Sequence, residues 1–521
     1  MDFRRLIIGL AVLAVVVADS GPAGAAAPQR SSRGARPFRT SRPMRTLGND
    51  QDRRIDINGI NMWITNFGST AYDIANQTAG LVYPTGSSNT AVFASGLWLG
   101  AVANGETRVT VAEYTTEFGP GKMVAGTFDN PNRPAYRTYK VVRWTGDPAD
   151  SSHVEGPGVY PDDPLLHHSW NEYMSGAAPY GAPTRIYRLP YTDIVAPADT
   201  DSVDVVGPDV LGDQMLWCVY NDADPALHVN NAGGTAPLGV EVQQTTFGFN
   251  RTGALGSTVF LKYRIINSSP DTLENMFCSM WADPDLGGFT DDLVGCDTTL
   301  SLGFCYNATN DDQQYGGTPP AVGYDFFLGP INHTTGDTLG LVSFNKYING
   351  TDPGSFDETY NYMQGVLPDG SPLIDPVSGQ ITTFFHAGDP VTGQGWLDSN
   401  PADRRMLLNS GPFKMAPGDT QNVVGAVIIG RGKNRLSSVS ALKFFDTFAQ
   451  AAFDSSFKLP NPPAQPKVDV ATDHEKVVLS WDANSRNNYS EPGYRFEGYN
   501  VYQSLSSSGP WTLLATYDEV D

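Results

Sequence analysis

Residues 281–297, WADPDLGGFTDDLVGCD, contain five aspartates and no lysine or arginine. Carboxylates this dense repel one another, so the chain must either spread them into solvent or gather them around a cation. An apolar run, residues 276–281, leads into the stretch, and the adjacent Gly287 and Gly288 make its middle flexible. Ca²⁺ selects flexible loops that are rich in oxygen ligands. The stretch therefore predicts either an irregular calcium site or a solvated acidic turn.

The spacing of the aspartates does not fit an EF-hand. An EF-hand loop requires acidic or amide residues at positions 1, 3 and 5, and glutamate at position 12. Counted from Asp283, position 5 is Gly287 and position 12 is Val294. We therefore predict an irregular calcium loop, whose ligands come from Asp283, Asp285, Asp291, Asp292 and Asp297.

The composition is typical of an exported protein that is mainly β. Only 17% of the 521 residues are charged, whereas 54 are glycine and 38 are proline. Turn-forming and aromatic residues at this frequency favour strands and turns over helices. The net charge of −22 argues against nucleic-acid binding, which requires a basic surface. We expect a large β-sandwich-type domain with one packing helix.

Several segments predict individual strands and their partners. Residues 97–103 and 106–114 flank Asn104-Gly105, a dipeptide that favours the type I′ turn of a hairpin. Residues 258–266 are expected to pair with residues 273–281 across the turn 267–271, which would leave the acidic stretch at the end of a sandwich strand. Further strands are expected at 60–65, 209–220, 321–328 and 423–429, and long loops at 145–210.

One helix is predicted near the end of this domain. Apolar residues recur at intervals of three and four between Val439 and Phe453, and Ser437 or Ser438 can cap the first turn. The apolar stripe predicts a helix that packs against the domain and closes it.

The N-terminus has the features of a secretory signal peptide, which we assign to residues 1–25. Arg4 and Arg5 precede an apolar run, residues 6–17, that is too short to span a bilayer, and small residues follow at 23–25. No later apolar run is long enough for a transmembrane segment. We expect an exported protein, either extracellular or on the outer cell surface.

Residues 26–54 are predicted to be a disordered, arginine-rich arm. Arginine recurs at every third position at Arg30, Arg33, Arg36, Arg39, Arg42 and Arg45. Polyproline II has three residues per turn, so this spacing would place the six guanidinium groups on one side. The arm either contacts an anionic polymer or is a solvated basic linker.

The remaining chain predicts a domain of residues 55–458, a proline-rich linker at 459–466 and a module at 467–521. The module resembles the first half of a fibronectin type III domain, because a strand that ends in Trp481 precedes the strand-like segment 496–503 (FEGYNVYQ). Such domains need about seven strands over roughly 100 residues. We expect the module to be truncated.

Residues 55–521 also resemble an uncharacterised group of exported β-rich proteins from Bacteroidetes- and Chlorobi-like bacteria. The segments that carry this resemblance are 95–100 (SGLWLG), 221–228 (NDADPALH), 281–306 and 416–420 (APGDT). The resemblance implies type IX secretion, although the C-terminal signal of that route does not occur in this sequence. It implies no activity.

Three further sets of residues leave alternatives open. Cys218, Cys278, Cys296 and Cys305 could form two disulfides or remain buried thiols. Asp222, Asp224 and His228 could bind a metal or transfer protons, but aspartates also favour turns for local reasons. His167 and His168 beside Trp170 could form a surface ligand or sugar-stacking site, although a histidine pair is more often incidental.

These observations favour a secreted or cell-surface, non-enzymatic protein for attachment (adhesion) or extracellular assembly, with a calcium-stabilised acidic loop. Its partner would be an extracellular or cell-surface polymer or protein. The alternative is a carbohydrate-active protein, either glycan-binding or a glycoside hydrolase. A groove with aromatic faces beside two suitably spaced carboxylates would favour hydrolysis.

Overall fold

The computed structural model describes residues 10–12, 52–143, 181–190, 202–459, 463, 466–473, 476–489, 495–503 and 512–519. The chain divides into two compact units, which are Asn49–Phe457 and the combination of Met1–Gly48 with Lys458–Asp521. Most of the predicted signal peptide and arm, and the pair His167 and His168, lie outside the described residues.

The larger unit is mainly β, and its first sheet has ten antiparallel strands. Eight follow one another in space, in this order: Ser343–Ile348, Arg404–Met415, Leu273–Asp283, Ala94–Ala103, Ser69–Thr70, Asn61–Thr65, Leu81–Val82 and Thr90–Val92. Two more pair with members of this series: Glu106–Thr110 with Ala94–Ala103, and Asp52–Ile55 with Asn61–Thr65.

The second sheet has nine antiparallel strands. Their spatial order is Gly119–Pro120, Gln214–Asn221, Val240–Gly248, Thr258–Asn267, Thr420–Gly430, Ala321–Leu328, Leu302–Asn307 and Asp292–Asp297, with Tyr139–Val142 also paired to Gln214–Asn221. Short two-stranded ladders join Tyr72–Asp73 to Thr78–Ala79, Met123–Val124 to Thr127–Phe128, and Leu373–Ile374 to Ile381–Thr382.

The two large sheets pack face to face, so the predicted β-sandwich class is confirmed. Cys218 of the nine-stranded sheet donates its thiol to the Thr65 carbonyl of the ten-stranded sheet at 3.4 Å. At Gly425, an added Cβ would lie 2.8 Å from the Met280 sulfur of the opposite sheet. Such close approach explains why a side chain is missing at this strand position.

The hairpin predicted at Asn104-Gly105 is present. Ala94–Ala103 and Glu106–Thr110 pair in antiparallel register, with Glu106 opposite Ala103. Asn104 and Gly105 have φ values of 53° and 83°, as a type I′ turn requires.

The pairing predicted between residues 258–266 and 273–281 is wrong. Thr258–Asn267 lies in the nine-stranded sheet and Leu273–Asp283 in the ten-stranded sheet. The connection between them crosses the sandwich instead of forming a hairpin. Asn267 fixes this crossing, because its amide group donates to the carbonyls of Asp271 and Met415 at 2.8 and 3.0 Å.

The long loops predicted at 145–210 need a similar correction. Thr184–Pro190 and Ser202–Pro208 form a seven-pair antiparallel ladder. Ser202–Pro208 contains three valines, at positions 203, 205 and 206, and this local strand signal outweighs the surrounding proline and aspartate.

The predicted helix is present as Arg435–Asp454 and packs on the outer face of the nine-stranded sheet. Its cap is Asn434, whose side chain accepts from the Ser437 amide in a capping box. A second helix, Phe356–Gln364, was not predicted. Its signals are Ser355 at the N-cap, Glu358 three residues later and Gly365 with φ 79° at the end.

In its described residues, the smaller unit contains two small sheets and one short helix. Val468–Asp473 pairs with Lys476–Trp481, and Gly498–Gln503 pairs with Thr512–Asp518 and, in parallel, with Leu10–Val12. The helix spans Asn484–Asn488. Trp481 packs against Tyr499 and Tyr517, with ring centroids 5.5 and 5.2 Å apart.

Two carboxyl groups meet beneath the helix Arg435–Asp454. Asp446 on the helix and Asp325 on the sheet are 1% and 0% exposed. Burial raises the pKa of Asp446 to about 7, and burial together with the neighbouring Asp446 raises the pKa of Asp325. The folded state therefore retains protons here that the unfolded chain loses above about pH 4. This contribution to stability is lost as the pH rises through the raised values.

We expect Asp446→Asn to stabilise the protein at pH 8 by about 1–3 kcal/mol, with a smaller gain at pH 5, because the amide carries no charge and can donate to Asp325. Thermal unfolding at both pH values measures the effect. Asp454→Asn, on an exposed position of the same helix, is the matched control. A variant less stable than the wild type at pH 8 would contradict the buried-charge account.

Candidate metal centre

Strand pairing in the ten-stranded sheet brings distant aspartates together. Leu273–Asp283 and Arg404–Met415 are antiparallel neighbours, with Ala282 opposite Met406. The end of the first strand therefore lies beside the start of the second. As a result, one carboxylate oxygen from each of Asp283, Asp285 and Asp403 lies within 4.8 Å of the others. We call this group the aspartate cluster.

Asp283 is the most enclosed member of the aspartate cluster, at 1% exposure. Its Oδ2 accepts hydrogen bonds from Arg405 Nη2 at 3.0 Å and from the Tyr114 hydroxyl at 2.5 Å. Its Oδ1 is buried and has no hydrogen-bond partner among the described residues. Burial raises the pKa of Asp283 to about 7, although the Arg405 charge opposes this rise. An unpartnered buried carboxylate oxygen is costly unless something else coordinates it.

The other two members, Asp403 and Asp285, differ in how many hydrogen-bond and salt-bridge partners their carboxylates have. Asp403 contacts Arg405 Nη1 through Oδ1 and accepts from Asn349 through Oδ2 at 2.8 Å. For Asp285, burial and then the negative charges of Asp283 and Asp403 raise the pKa well above its ordinary value. Among the described residues, Arg405 forms salt bridges with Asp283 and Asp403 but not with Asp285, on which its charge acts only from a greater distance.

The donor set fits a hard divalent cation. All available ligand atoms are carboxylate oxygens, and three negative charges face the single positive charge of Arg405, which leaves a formal charge of −2. Ca²⁺ prefers such oxygen ligands and tolerates irregular geometry. Among the described residues, none donates a hydrogen bond to Asp283 Oδ1 or forms a salt bridge with Asp285, so these oxygens are the ones open to a cation. A bound cation would neutralise the remaining charge and lower both raised pKa values.

The other three predicted ligands are not members of the aspartate cluster. Asp292 is fully buried, its Oδ2 accepts from the Leu286 amide at 3.2 Å, and its Oδ1, like that of Asp283, has no hydrogen-bond partner among the described residues. Asp291 accepts from the Asn307 amide group at 3.1 Å. These contacts shape the loop itself.

Asp297 is an ion-pair partner. Lys443 on the helix Arg435–Asp454 lies 2.9 Å from its Oδ2. Burial alone would raise the pKa of Asp297, but hydrogen bonds from Thr299 and Lys443 and the Lys443 charge lower it. The described site therefore combines Asp283 and Asp285 with Asp403, which sequence reasoning missed because it lies over 100 residues away from them.

The second constellation of acidic residues and histidine holds a loop in place. Asp222 is fully buried and accepts from Thr110 Oγ1, Leu238 N and Val240 N, each at 2.7 Å. His228 Nε2 lies 2.8 Å from the Asp222 carbonyl. The Asp224 side chain accepts a local hydrogen bond from the Ala226 amide at 3.0 Å. Both oxygens of Asp222 are thus occupied by protein donors, but these donors lie 16 to 112 residues away in the sequence, so the role is structural without being a local turn contact.

All four cysteines are free and buried, which agrees with the thiol alternative. Burial raises the pKa of each thiol above its ordinary value. Buried, protonated thiols of this kind act as small apolar side chains.

No known protein family and no curated protein matches this chain in sequence. Across the part of the chain that the structure describes, none of the helices combines the length and apolar character needed to cross a bilayer.

Proposed function

We propose that this chain is an exported, non-enzymatic β protein for attachment or extracellular assembly, and that a calcium ion stabilises its acidic loop. The observation that carries the calcium proposal is the unpartnered, buried Oδ1 of Asp283 within a group of three carboxylates. In this role the ion joins the end of one core strand to the start of its neighbour. Asp283, Asp285 and Asp403 would hold it.

Export and the fibronectin-like character of the last module belong to the same proposal. The apolar run at residues 6–17 and the small residues at 23–25 support an extracellular or outer-surface location. The partner would be a cell-surface or extracellular polymer or protein, and the Arg30–Arg45 arm would favour an anionic one.

The calcium proposal is tested by thermal unfolding of the full chain in millimolar calcium and in chelator. A ligand that binds only the folded state stabilises it by RT ln(1+[L]/Kd), about 1–3 kcal/mol for a site filled well above its Kd. We expect a higher unfolding temperature with calcium, and loss of that increase in Asp285→Asn. Asp285 is the best residue to change, because it makes no salt bridge to any described residue and the negative charges of Asp283 and Asp403 outweigh the Arg405 charge.

Asp311→Asn is the matched control, since Asp311 is an exposed aspartate in a nearby loop. It should retain the full response to calcium. Equal unfolding temperatures with calcium and chelator in the wild type would overturn the calcium proposal and leave the cluster as an Arg405-centred ion-pair network.

The alternative, a carbohydrate-active protein, is favoured by a separate cavity with aromatic walls. The cavity has a volume of about 560 Å³, and Trp396, Tyr347 and Tyr362 contribute rings to it. Among its lining residues Asp398 is the one carboxylate. Two-carboxylate hydrolysis needs a second such group, so the cavity supports glycan binding in preference to cleavage.

A further inference from the structure

The cavity lies beside the strand Ser343–Ile348, at the edge of the ten-stranded sheet, and residues 396–402 form its other wall. We propose that it binds an acidic sugar, that is, a ring-shaped polyol that carries a carboxylate. The residues that carry this assignment are Lys346, His386, Trp396, Asp398 and Arg404. None of them belongs to the aspartate cluster, so the proposal does not depend on calcium.

His386 is built into the cavity at a conformational cost. Its φ is 48°, a left-handed value that a non-glycine residue rarely adopts. Backbone hydrogen bonds hold the chain on both sides, from Phe385 N to the Phe344 carbonyl at 3.0 Å and from Cys296 N to the His386 carbonyl at 3.3 Å. Strain that the surroundings enforce in this way is concentrated at functional sites.

The His386 ring lines the cavity, but both of its nitrogens are buried. The residue is 8% exposed, neither ring nitrogen makes a well-formed hydrogen bond to any described residue, and the Leu397 backbone is close enough to oppose the lowering of its pKa. Its nearest charged neighbour is Asp398, 3.8 Å from Nε2. Burial lowers the pKa of His386 to about 4, so the neutral ring offers one donor and one acceptor at pH 7. A ligand hydroxyl could pair with one of these nitrogens if the ring turns to expose it.

Both carboxylate oxygens of Asp398 already contact donors of the protein itself. Arg404 Nη2 contacts its Oδ1 at 2.7 Å, and the Val294 amide donates to its Oδ2 at 3.1 Å. Arg404 is 3% exposed and also contacts the Asn400 carbonyl. The buried pair fixes the floor of the cavity and is charge-neutral.

Lys346 therefore sets the net charge of the cavity at +1. Its ammonium lies 5.4 Å from the Phe385 ring centroid, and no carboxylate of the described chain lies within salt-bridge distance of it. Burial and then the Arg404 charge lower the pKa of Lys346, so the cation is held where it is poorly solvated. A positive cavity in a chain with net charge −22 selects an anion.

The aromatic wall decides the class of anion. The Trp396 ring centroid lies 5.2 Å from that of Phe385 and 5.0 Å from that of His386, which fixes its orientation. The indole is a large apolar surface of fixed orientation, on which the apolar face of a sugar ring would pack. A carboxylate would pair with Lys346, and hydroxyls would meet His386 and the exposed Ser399 and Asn400. A uronic acid combines these features in one small molecule.

The test is calorimetric titration of the full chain, in chelator, with D-glucuronate, D-glucose and benzoate. We expect glucuronate to bind with a Kd of about 1 mM or lower, at least about tenfold more tightly than either of the others. Glucose has the sugar ring and its hydroxyls but no carboxylate. Benzoate has a ring and a carboxylate but no hydroxyls. Because calcium is absent, failure of the metal proposal leaves this result unchanged.

Variants locate the binding. Lys346→Gln should weaken glucuronate binding about tenfold, whereas Lys346→Arg should retain it, because only the second keeps the charge. Trp396→Leu should weaken binding similarly, and Lys414→Gln, a surface lysine of another strand, should not. Unfolding temperatures identify any variant that fails to fold. The binding affinities of the folded variants then decide whether glucuronate binds in this cavity.

Three results would overturn the assignment. The first is that glucuronate at millimolar concentration gives no heat of binding. The second is that glucose or benzoate binds as tightly as glucuronate. The third is a folded Lys346→Gln protein with wild-type affinity, which would place any glucuronate site elsewhere.

Discussion

Arg405→Met should lower the free energy of unfolding by about 3–5 kcal/mol at pH 8, because it leaves buried carboxylates without their cation. Arg405 is 6% exposed and contacts Asp283, Asp403 and the Tyr114 hydroxyl. Methionine fills similar volume but neutralises nothing. Urea unfolding followed by fluorescence measures the loss, since Trp98 and Trp281 are buried near this strand pair.

The matched control is Lys414→Met on the same strand. Lys414 pairs with Glu274 at 2.6 Å, but the two side chains are 56% and 48% exposed. Exposed pairs contribute about 0–1 kcal/mol, so this variant should unfold close to the wild type. Equal losses of unfolding free energy in the two variants would show that the buried Arg405 ion pairs are no more stabilising than an exposed pair.

The pH dependence of Arg405→Met has a definite sign. Burial already raises the pKa of Asp283 to about 7, and removing Arg405 raises it further. The folded variant then holds a proton that the unfolded chain loses above about pH 4, so its stability falls as the pH rises. The loss should therefore be larger at pH 8 than at pH 5. Calcium should also stabilise the variant more than the wild type, because the aspartate cluster has lost its internal cation.

Local signals in the sequence were enough to predict several elements. Asn104-Gly105 predicted a hairpin because the dipeptide itself favours positive φ, and the structure has that turn. Residues 321–328 form the strand Ala321–Leu328, and the 3.6-residue apolar period identified the helix Arg435–Asp454. In each case the information lies within a few neighbouring residues.

Information about strand partners was missing from the sequence. Leu273–Asp283 is buried on both faces along most of its length, so it shows no alternation that would assign it to a sheet, and in Thr258–Asn267 the alternation is confined to residues 261–265. A five-residue connection fits a hairpin or a crossing between sheets equally well. The structure has the crossing, which Asn267 stabilises.

The same limit applies to the aspartate cluster. Density of aspartates within residues 281–297 predicted Asp283 and Asp285, but Asp403 joins them only through the pairing of two strands. The cavity is even harder to predict from the sequence, because Lys346, His386 and Asp398 come from three separate segments of the chain. The unpredicted helix Phe356–Gln364 differs, since its Ser355–Glu358 capping signal was present in the sequence.

Asp222→Asn should cost about 3 kcal/mol of unfolding free energy, the second large effect that we expect. Asp222 is fully buried and accepts three hydrogen bonds of 2.7 Å, from Thr110, Leu238 and Val240. Hydrogen bonds to a charged group contribute about 1.5–3 kcal/mol each. Asparagine keeps the shape, but its amide nitrogen would face donors, so at least one buried amide loses its acceptor.

Two measurements distinguish this effect from a general loss of packing. Urea unfolding gives the stability, and amide hydrogen exchange reports locally on Leu238 and Val240, whose protection should fall most. Asp224→Asn, two residues away and held only by a turn contact with Ala226, should change stability by less than about 1 kcal/mol. Asp222 hydrogen-bonds both to the start of Val240–Gly248 and to Thr110 of the opposite sheet. If the hydrogen-exchange rate of the Val240 amide does not change in Asp222→Asn, these bonds do not hold the two sheets together.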